Sequence, residues 1–119
     1  MTLFVTGISG FVGKNFLNFL RKEKEKENFE ILALIHQRDV PLEWPIVEKI
    51  KGDVRDINSL EKAFLKRKID GILHLAAVIK SKNLKDFDEV NVEGTRNIVK
   101  LAEKYNVKKF IFLSSDFVL

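Results

Sequence analysis

The fold is decided by residues 6–13, Thr6-Gly7-Ile8-Ser9-Gly10-Phe11-Val12-Gly13, which follow the apolar run Leu3-Phe4-Val5. This order predicts a strand, a tight turn and the first turn of a helix. Gly7 allows the turn after the strand, Gly10 lets the backbone approach a ligand, and Gly13 lets the helix pack closely on the strand. The helix start offers unpaired N–H groups and the positive end of a dipole, which suit a pyrophosphate. The stretch therefore predicts dinucleotide binding.

Two other interpretations of this segment are an ordinary glycine-rich turn, which stays open, and a P-loop. Its spacing is G-x-x-G-x-x-G rather than G-x-G-x-x-G, and three glycines near a helix start also occur in ordinary turns. Gly13-Lys14 looks like the end of a P-loop, but that motif needs a glycine five residues before Gly13 and a Ser or Thr after the lysine. Ile8 and Asn15 occupy those positions, so the P-loop interpretation fails at both.

Composition indicates one globular domain: 119 residues, 45% hydrophobic and 32% charged. The sequence has no apolar run of the roughly 18 residues that a membrane span requires, and no signal-peptide pattern is evident. The chain contains no cysteine, which excludes disulfides and favours a cytoplasmic protein. Net charge is +4, but lysines alternate with glutamates over residues 21–27, which is typical of a solvated helix end rather than a nucleic-acid surface. His36 and His74 are too far apart in sequence to form a metal-ligand motif.

Hydrophobic periodicity predicts alternating strands and helices. The predicted strands are residues 2–6, 31–35, 46–50, 71–77 and 110–113, and the predicted helices are residues 11–26, 58–68 and 86–105. We expect the buried stripe of the first helix to contain Val12, Phe16, Phe19 and Leu20. Asn58 with Glu61 resembles a capping box at the start of the second helix. We expect the third helix to bury Asn91, Gly94, Ile98, Leu101 and Ala102.

This alternation predicts an α/β fold, a Rossmann-like doubly wound parallel sheet with five strands in the order 3-2-1-4-5. In that order the fifth strand lies at an edge, although Phe110-Ile111-Phe112-Leu113 has none of the charges or prolines that usually protect edges. We therefore expect a further strand to follow, so that the domain over residues 1–119 is truncated.

The motifs together resemble those of the extended short-chain dehydrogenase/reductases, known as the NAD-dependent epimerase/dehydratase family. Residues 6–13 are similar to its TGxxGxxG loop, and Gly52-Asp53-Val54-Arg55-Asp56 is similar to its GDxxD turn. His74-Leu75-Ala76-Ala77 resembles its HLAA segment, and residues 91–97 resemble its NVxGTxN helix motif. Residues 112–118 look like the start of its SSxxVYG motif. The resemblance covers essentially the whole chain.

The resemblance implies a set of site residues. The catalytic position falls on Ser115, whose hydroxyl would hydrogen-bond the reacting oxygen of the substrate. Asp53 would contact the adenine, and Leu75, Ala76 and Ala77 would lie along the ribose and nicotinamide. The cofactor-binding residues implied or predicted are Gly7, Ser9, Gly10, Phe11, Val12, Gly13, His36, Arg38, Asp53, Val54, Leu75, Ala76, Ala77 and Ser114.

Two departures from the family pattern qualify this expectation. The family's Tyr-x-x-x-Lys pair follows the serine, whereas the only tyrosine here, Tyr105, precedes it, so Lys109 forms no such pair. The second departure is at the end of the second strand, Ile35-His36-Gln37-Arg38, where no acid precedes Asp39 to hold the ribose hydroxyls of NAD. Arg38, with protonated His36, could instead face the 2′-phosphate of NADP, or Arg38 could simply be a solvated loop residue. The sequence slightly favours NADP.

We therefore predict the NAD(P)-binding portion of an epimerase, dehydratase or reductase whose longer form acts on a nucleotide sugar, inactive alone. The alternative is a non-catalytic dinucleotide-binding or interaction module that pairs through its fifth strand, which would allow a homo-oligomer. We expect neither nucleic-acid nor membrane binding.

Overall fold

The computed structural model describes residues 1–23, 28–75 and 88–112. Five strands occur in this part of the chain: β1 Thr2–Thr6, β2 Glu30–Ile35, β3 Ile46–Lys51, β4 Gly71–His74 and β5 Lys109–Phe112. The helices there are α1 Phe11–Lys22, α2 Ile57–Lys66 and α3 Gly94–Lys104, with a π-helical segment Asp88–Glu93 running into α3. The strands form one parallel sheet in the order β3-β2-β1-β4-β5, which confirms the predicted Rossmann-like topology.

Helices cover both faces of this sheet. Side chains alternate along β1, so that Phe4 belongs to one core layer and Val5 to the other. The Phe4 layer includes residues of α2 and α3: Leu60, Ala63, Phe64, Ile98, Leu101 and Ala102. The Val5 layer includes Ile8, Leu17 and Leu20 from the glycine loop and α1. Because β1 and β2 are covered on both sides, their sequences are continuously apolar.

The buried face of α1 agrees with the prediction only in part: Leu20 is buried and Phe16 is partly buried. Gly13, Leu17 and Leu20 are buried, whereas Val12 is 42% and Phe19 58% exposed. The stripe that includes Gly13 faces the sheet because this glycine lets the helix approach it, and the aromatic residue at position 19 therefore points outward. The helix ends at Lys22, earlier than predicted, and the last predicted positions beyond residue 23 lie outside the described residues.

The start of α2 also differs from the prediction. Asp56, not Asn58, caps this helix, and its carboxylate accepts a hydrogen bond from the backbone N–H of Asn58 at 3.1 Å. Both residues are good caps, and the one that precedes the helical backbone takes the role. In α3 the expected burial of Gly94, Ile98, Leu101 and Ala102 is confirmed, while Asn91 is only partly buried.

The sheet has two ends with different character. At its carboxyl edge, β1, β2, β3 and β4 are followed by Gly7, His36, Gly52 and Leu75. In open parallel sheets, ligands bind outside the carboxyl ends of the strands, at the point where strand order reverses. Here that point lies between β1 and β4, so the glycine loop stands beside it. Within the described residues, no helix has the length and apolar character needed to cross a membrane.

Candidate functional site

The glycine loop joins β1 to α1 with a backbone that side chains would disturb. Gly7 has φ 76°, in the left-handed region that favours glycine. The N–H of Gly10 donates to the carbonyl oxygen of Gly7 at 3.1 Å, which closes the turn. A Cβ on Gly13 would lie 2.3 Å from the carbonyl oxygen of Ile8, so only glycine allows this approach of helix and loop. Gly7 and Gly13 therefore serve the fold of the loop itself.

Gly10 is in a different situation. It precedes the first turn of α1 with φ −78° and ψ 179°, and its nearest described contact for a Cβ would be the Gly7 oxygen at 3.4 Å. No side chain among the described residues caps this helix start. The neighbouring side chain of Phe11 is 83% exposed. The amide groups at the start of α1 are thus presented at an open, uncluttered surface, an arrangement that can hold an anion.

A cavity of about 370 Å³ lies beside this helix start. Its lining comes from the loops after β1, β2, β3 and β4: Gly7, Ser9, Gly10, Leu34, His36, Gln37, Arg38, Asp53, Val54, Arg55 and Leu75. Eight of the predicted cofactor-binding residues therefore line one cavity. They are Gly7, Ser9, Gly10, His36, Arg38, Asp53, Val54 and Leu75. The predicted residues Phe11, Val12 and Gly13 belong to the adjoining first turn of α1.

Asp53 is the most strongly engaged acid in this cavity. Arg55 donates to its carboxylate from Nη2 at 2.6 Å, from Nε at 3.0 Å and from its backbone N–H at 3.0 Å. His36 Nε2 lies 3.5 Å from the same carboxylate. Hydrogen bonds from Arg55 hold the pKa of Asp53 below its ordinary value, against the opposing effect of partial burial. Asp53 is therefore ionised at neutral pH and acts as a hydrogen-bond acceptor.

The loop carrying Asp53 is fixed from α3. Asn97 Nδ2 donates to the carbonyl oxygen of Val54 at 2.9 Å. Gly94 packs so close that a Cβ there would lie 2.7 Å from Val54 Cγ2. The motif on α3 thus contributes to the site by supporting a loop that lines it.

The end of β2 presents basic and neutral side chains to the cavity. His36, Gln37 and Arg38 all line it. Asp39, the first acid after β2, instead accepts hydrogen bonds from Lys49 Nζ at 3.0 Å and from the backbone N–H of Val40. The hydrogen bond from Lys49 lowers the pKa of Asp39. Asp39 is therefore engaged by Lys49 and is not among the described residues that line this cavity.

Several predicted residues receive no structural test. Ala76, Ala77, Ser114 and Ser115 lie outside the described residues, so their roles remain predictions. Tyr105 lies at the opposite, amino edge of the sheet, where it shares a cavity lining with Met1, Asp70 and Lys109. Its hydroxyl donates to Glu61 Oε2 at 2.5 Å, and its ring stacks on Phe64.

A buried polar group beside the glycine loop was not predicted as part of the site. Thr6 Oγ1 lies 2.6 Å from His74 Nδ1, and Thr95 Oγ1 lies 3.3 Å from His74 Nε2. Burial lowers the pKa of His74 to about 4, so the ring is neutral at neutral pH. A signal was available, because a threonine and a histidine end adjacent apolar strands. Within the described residues, no group of three or more His, Asp, Glu or Cys side chains is arranged to hold a metal ion.

Together, the parallel sheet, the uncapped helix start and the cavity define a Rossmann-like domain with a dinucleotide-type crevice. The family model described as "NAD dependent epimerase/dehydratase family" matches residues 3–119, and the chain belongs to that family. This confirms the family resemblance stated from the motifs.

Relatives and solved structures agree with this assignment. A dTDP-D-glucose 4,6-dehydratase of Dictyostelium discoideum is 30% identical over 96% of this chain and 29% of its own length. A UDP-glucose 4-epimerase of Caenorhabditis elegans is 32% identical over 97% of this chain and 38% of its own length. The crystal structure of Bacillus anthracis dTDP-glucose 4,6-dehydratase in complex with NAD has a TM-score of 0.77 and 26% identity, covering 98% of this chain and 38% of that one. That of Bifidobacterium longum UDP-glucose 4-epimerase in complex with NAD⁺ and UDP has a TM-score of 0.79 and 26% identity, covering 98% and 37%. The chain thus spans well under half the length of these proteins.

Proposed function

We propose that this chain is the nicotinamide-dinucleotide-binding portion of an oxidoreductase of the epimerase/dehydratase type, acting in a longer form on a nucleotide sugar. One observation carries the proposal. The uncapped start of α1, with Gly10 against open space, adjoins a cavity lined by the loops after β1, β2 and β3. The NAD and UDP named with the related structures support the same ligand class.

In this proposal, different residues bind different parts of the cofactor. The pyrophosphate would rest on the amides at the start of α1, next to Gly10 and Phe11. Asp53 and Val54 would bind the adenine end, and His36 and Arg38 the adenosine ribose. Leu75 would begin the strip along the nicotinamide side, where we also place Ala76, Ala77 and Ser114. When bound, the nicotinamide supplies hydride transfer.

We propose a modest preference for NADP over NAD. Arg38 lines the dinucleotide cavity and also a second cavity of about 310 Å³, which Ser9 and Lys14 line as well. Three cationic side chains, Lys14, Arg21 and Arg38, and two acids, Asp39 and Glu43, line this second cavity, into which a 2′-phosphate would extend from the ribose. The carboxylate of Asp39 is exposed but already accepts a hydrogen bond from Lys49 Nζ at 3.0 Å.

Ser115 is proposed as the residue that would hydrogen-bond the substrate's reacting oxygen. The 119 residues contain no Tyr-x-x-x-Lys pair after this serine, and Tyr105 is at the other edge of the sheet. Without a tyrosine to move the proton, we expect no turnover from these residues alone.

Fluorescence titration with NADPH and NADH tests the proposal. Gly10→Val puts a branched side chain at the helix start, where its backbone angles remain allowed, and should weaken binding of both nucleotides at least tenfold. Leu65→Ala, on the exposed side of α2, is the matched control and should bind like the parent chain. Equal, weak responses of the parent and Gly10→Val would refute dinucleotide binding at this site.

A second candidate function is a non-catalytic module that pairs through β5. Ile111 is 63% and Phe112 45% exposed on this edge strand, an apolar surface that another strand could cover. The proposed partner is a second copy of the chain. Light scattering would show a defined dimer that Ile111→Lys converts to monomer, whereas a monomeric parent chain would contradict this candidate.

A further inference from the structure

His74 is the most deeply buried ionisable group in the described part of the chain, at 1% exposure. It ends β4 beside Thr6, the last residue of β1, with which it is paired in the sheet. Its two ring nitrogens face hydroxyl groups from different elements. Nδ1 is 2.6 Å from Thr6 Oγ1, and Nε2 is 3.3 Å from Thr95 Oγ1 in α3.

Counting donors determines which nitrogen carries the proton. The single hydroxyl proton of Thr95 is directed to the carbonyl oxygen of Asn91 at 2.6 Å. Thr95 Oγ1 must then accept from His74, which requires a proton on Nε2. Nδ1 is left as an acceptor, and the hydroxyl of Thr6 donates to it. The backbone N–H of Leu75 is shared between the carbonyl oxygen of Thr6 at 3.0 Å and Thr6 Oγ1 at 3.2 Å.

These bonds form one directed chain from Leu75 through Thr6, His74 and Thr95 to Asn91. It begins at the residue that follows β4, crosses the end of β1 immediately before Gly7, and ends in the π-helical segment that precedes α3. The chain thus joins Thr6, the residue before the glycine turn, to Thr95 at the start of α3 through the sheet. The reversed tautomer would lose the hydrogen bond between His74 Nε2 and Thr95 Oγ1, because the Thr95 hydroxyl proton is directed to the Asn91 oxygen.

We propose that His74 is a positioning residue: held as the neutral Nε2–H tautomer, it locks the glycine turn onto the π-helical segment and so preorganises the crevice for the dinucleotide. The inference rests on the proposed function for its ligand, but the locking itself can be measured without ligand. His74 does not touch the cofactor in this scheme and acts through Thr6 and Thr95.

The first test is spectroscopic and uses the parent chain. Long-range ¹H–¹⁵N correlation of the ¹⁵N-labelled His74 ring at pH 7 should show a protonated Nε2 and an unprotonated Nδ1. A protonated Nδ1, or a charged ring, would overturn the proposal.

The second test breaks the chain at Thr95 with near-constant volume. Thr95→Val removes the hydroxyl that accepts from Nε2, and Thr95→Ser keeps it. In amide hydrogen exchange without nucleotide, the Leu75 and Gly10 amides should exchange about tenfold faster in Thr95→Val and return towards parent rates in Thr95→Ser. The amide of Asp70, which donates to Thr2 at the far edge of the sheet, is the internal reference and should change little.

NADPH titration of the same variants connects the lock to the ligand. Thr95→Val should bind several-fold more weakly than the parent, with rescue by Thr95→Ser. Equal acceleration at Leu75, Gly10 and Asp70 would show only general destabilisation and overturn the proposal, as would unchanged exchange. If local exchange responds as expected but the parent chain binds no NADPH or NADH, the lock is supported and the proposed function fails.

Discussion

Gly10 and Gly13 lie three residues apart, yet changing each to alanine should affect different properties, NADPH binding for Gly10 and stability for Gly13. At Gly13 the new Cβ would lie 2.3 Å from the Ile8 oxygen and 2.7 Å from the Gly7 oxygen. Since carbon contacts are optimal at about 3.5 Å, α1 and the loop must separate by about 1 Å. Overpacking against rigid backbone costs about 3 kcal/mol, and the better helix propensity of alanine returns about 1 kcal/mol. We expect Gly13→Ala to lower the free energy of unfolding by about 2 kcal/mol.

Gly10→Ala should behave in the opposite way. Its Cβ would meet the Gly7 oxygen at 3.4 Å, and its φ of −78° is open to any residue. Its free energy of unfolding should therefore stay within about 0.5 kcal/mol of the parent value. The methyl group would stand at the helix start where a pyrophosphate must rest, so NADPH binding should weaken about tenfold.

Urea unfolding without nucleotide and NADPH titration of both variants provide the assay. We expect a stability loss mainly in Gly13→Ala, and a loss of NADPH binding without a loss of stability in Gly10→Ala. If Gly10→Ala is the less stable variant, or if Gly13→Ala unfolds like the parent chain, the assignment of the two glycines is wrong.

Three further predictions concern the walls of the crevice. The pKa of His74 is about 4 in the folded chain and about 6.5 in the unfolded chain. Between these values the unfolded state binds a proton that the folded state does not. The free energy of unfolding should therefore fall by about 3 kcal/mol as pH drops from 7 to 4. Urea unfolding of the parent chain and His74→Gln checks this, and the same acid slope in both would contradict it. Asn97→Ala removes the hydrogen bond to the Val54 oxygen and should cost about 1 kcal/mol of stability. It should also weaken 5′-AMP binding, measured by calorimetry. An unchanged AMP affinity would argue against the support of this loop by Asn97. Arg38→Glu should weaken NADPH relative to NADH at least tenfold in fluorescence titration, with Arg38→Lys as the charge-preserving control; an unchanged ratio would exclude Arg38 as the 2′-phosphate contact.

Features that depend on local sequence were predictable. The glycine turn follows from spacing over residues 6–13, and the strand order follows from alternating elements with right-handed connections. The face of α1 was not predictable in the same way. Apolar periodicity there is ambiguous because Phe16, Leu17, Phe19 and Leu20 all occur within one turn or so. The close approach at Gly13 decides which of them face the sheet.

Features that depend on distant partners were missed. His74 meets Thr6, 68 residues earlier, and Thr95, 21 residues later. The predicted pairing of β1 with β4 already places Thr6 beside His74, but no periodicity connects either residue to Thr95, which only the placement of α3 brings to the ring. The partner of Asp39 is similar, because β2–β3 pairing places Lys49 beside it, and the sequence alone left that acid unassigned.

Residues of α3 do not line the cavity, but they hold in place two segments that do or that adjoin it. Gly94 and Asn97 hold Val54, on the loop after β3, while Thr95 holds His74 at the end of β4. These two attachments are on neighbouring faces of a single helical turn, so they move together. A displacement of α3 would shift the loop proposed to bind the adenine and release the His74 ring at the same time. In the proposed complex the glycine loop determines where the pyrophosphate rests, and the first turn of α3 determines the position of the Val54 loop relative to it. The dinucleotide crevice is thus built by two helix starts on opposite faces of one sheet.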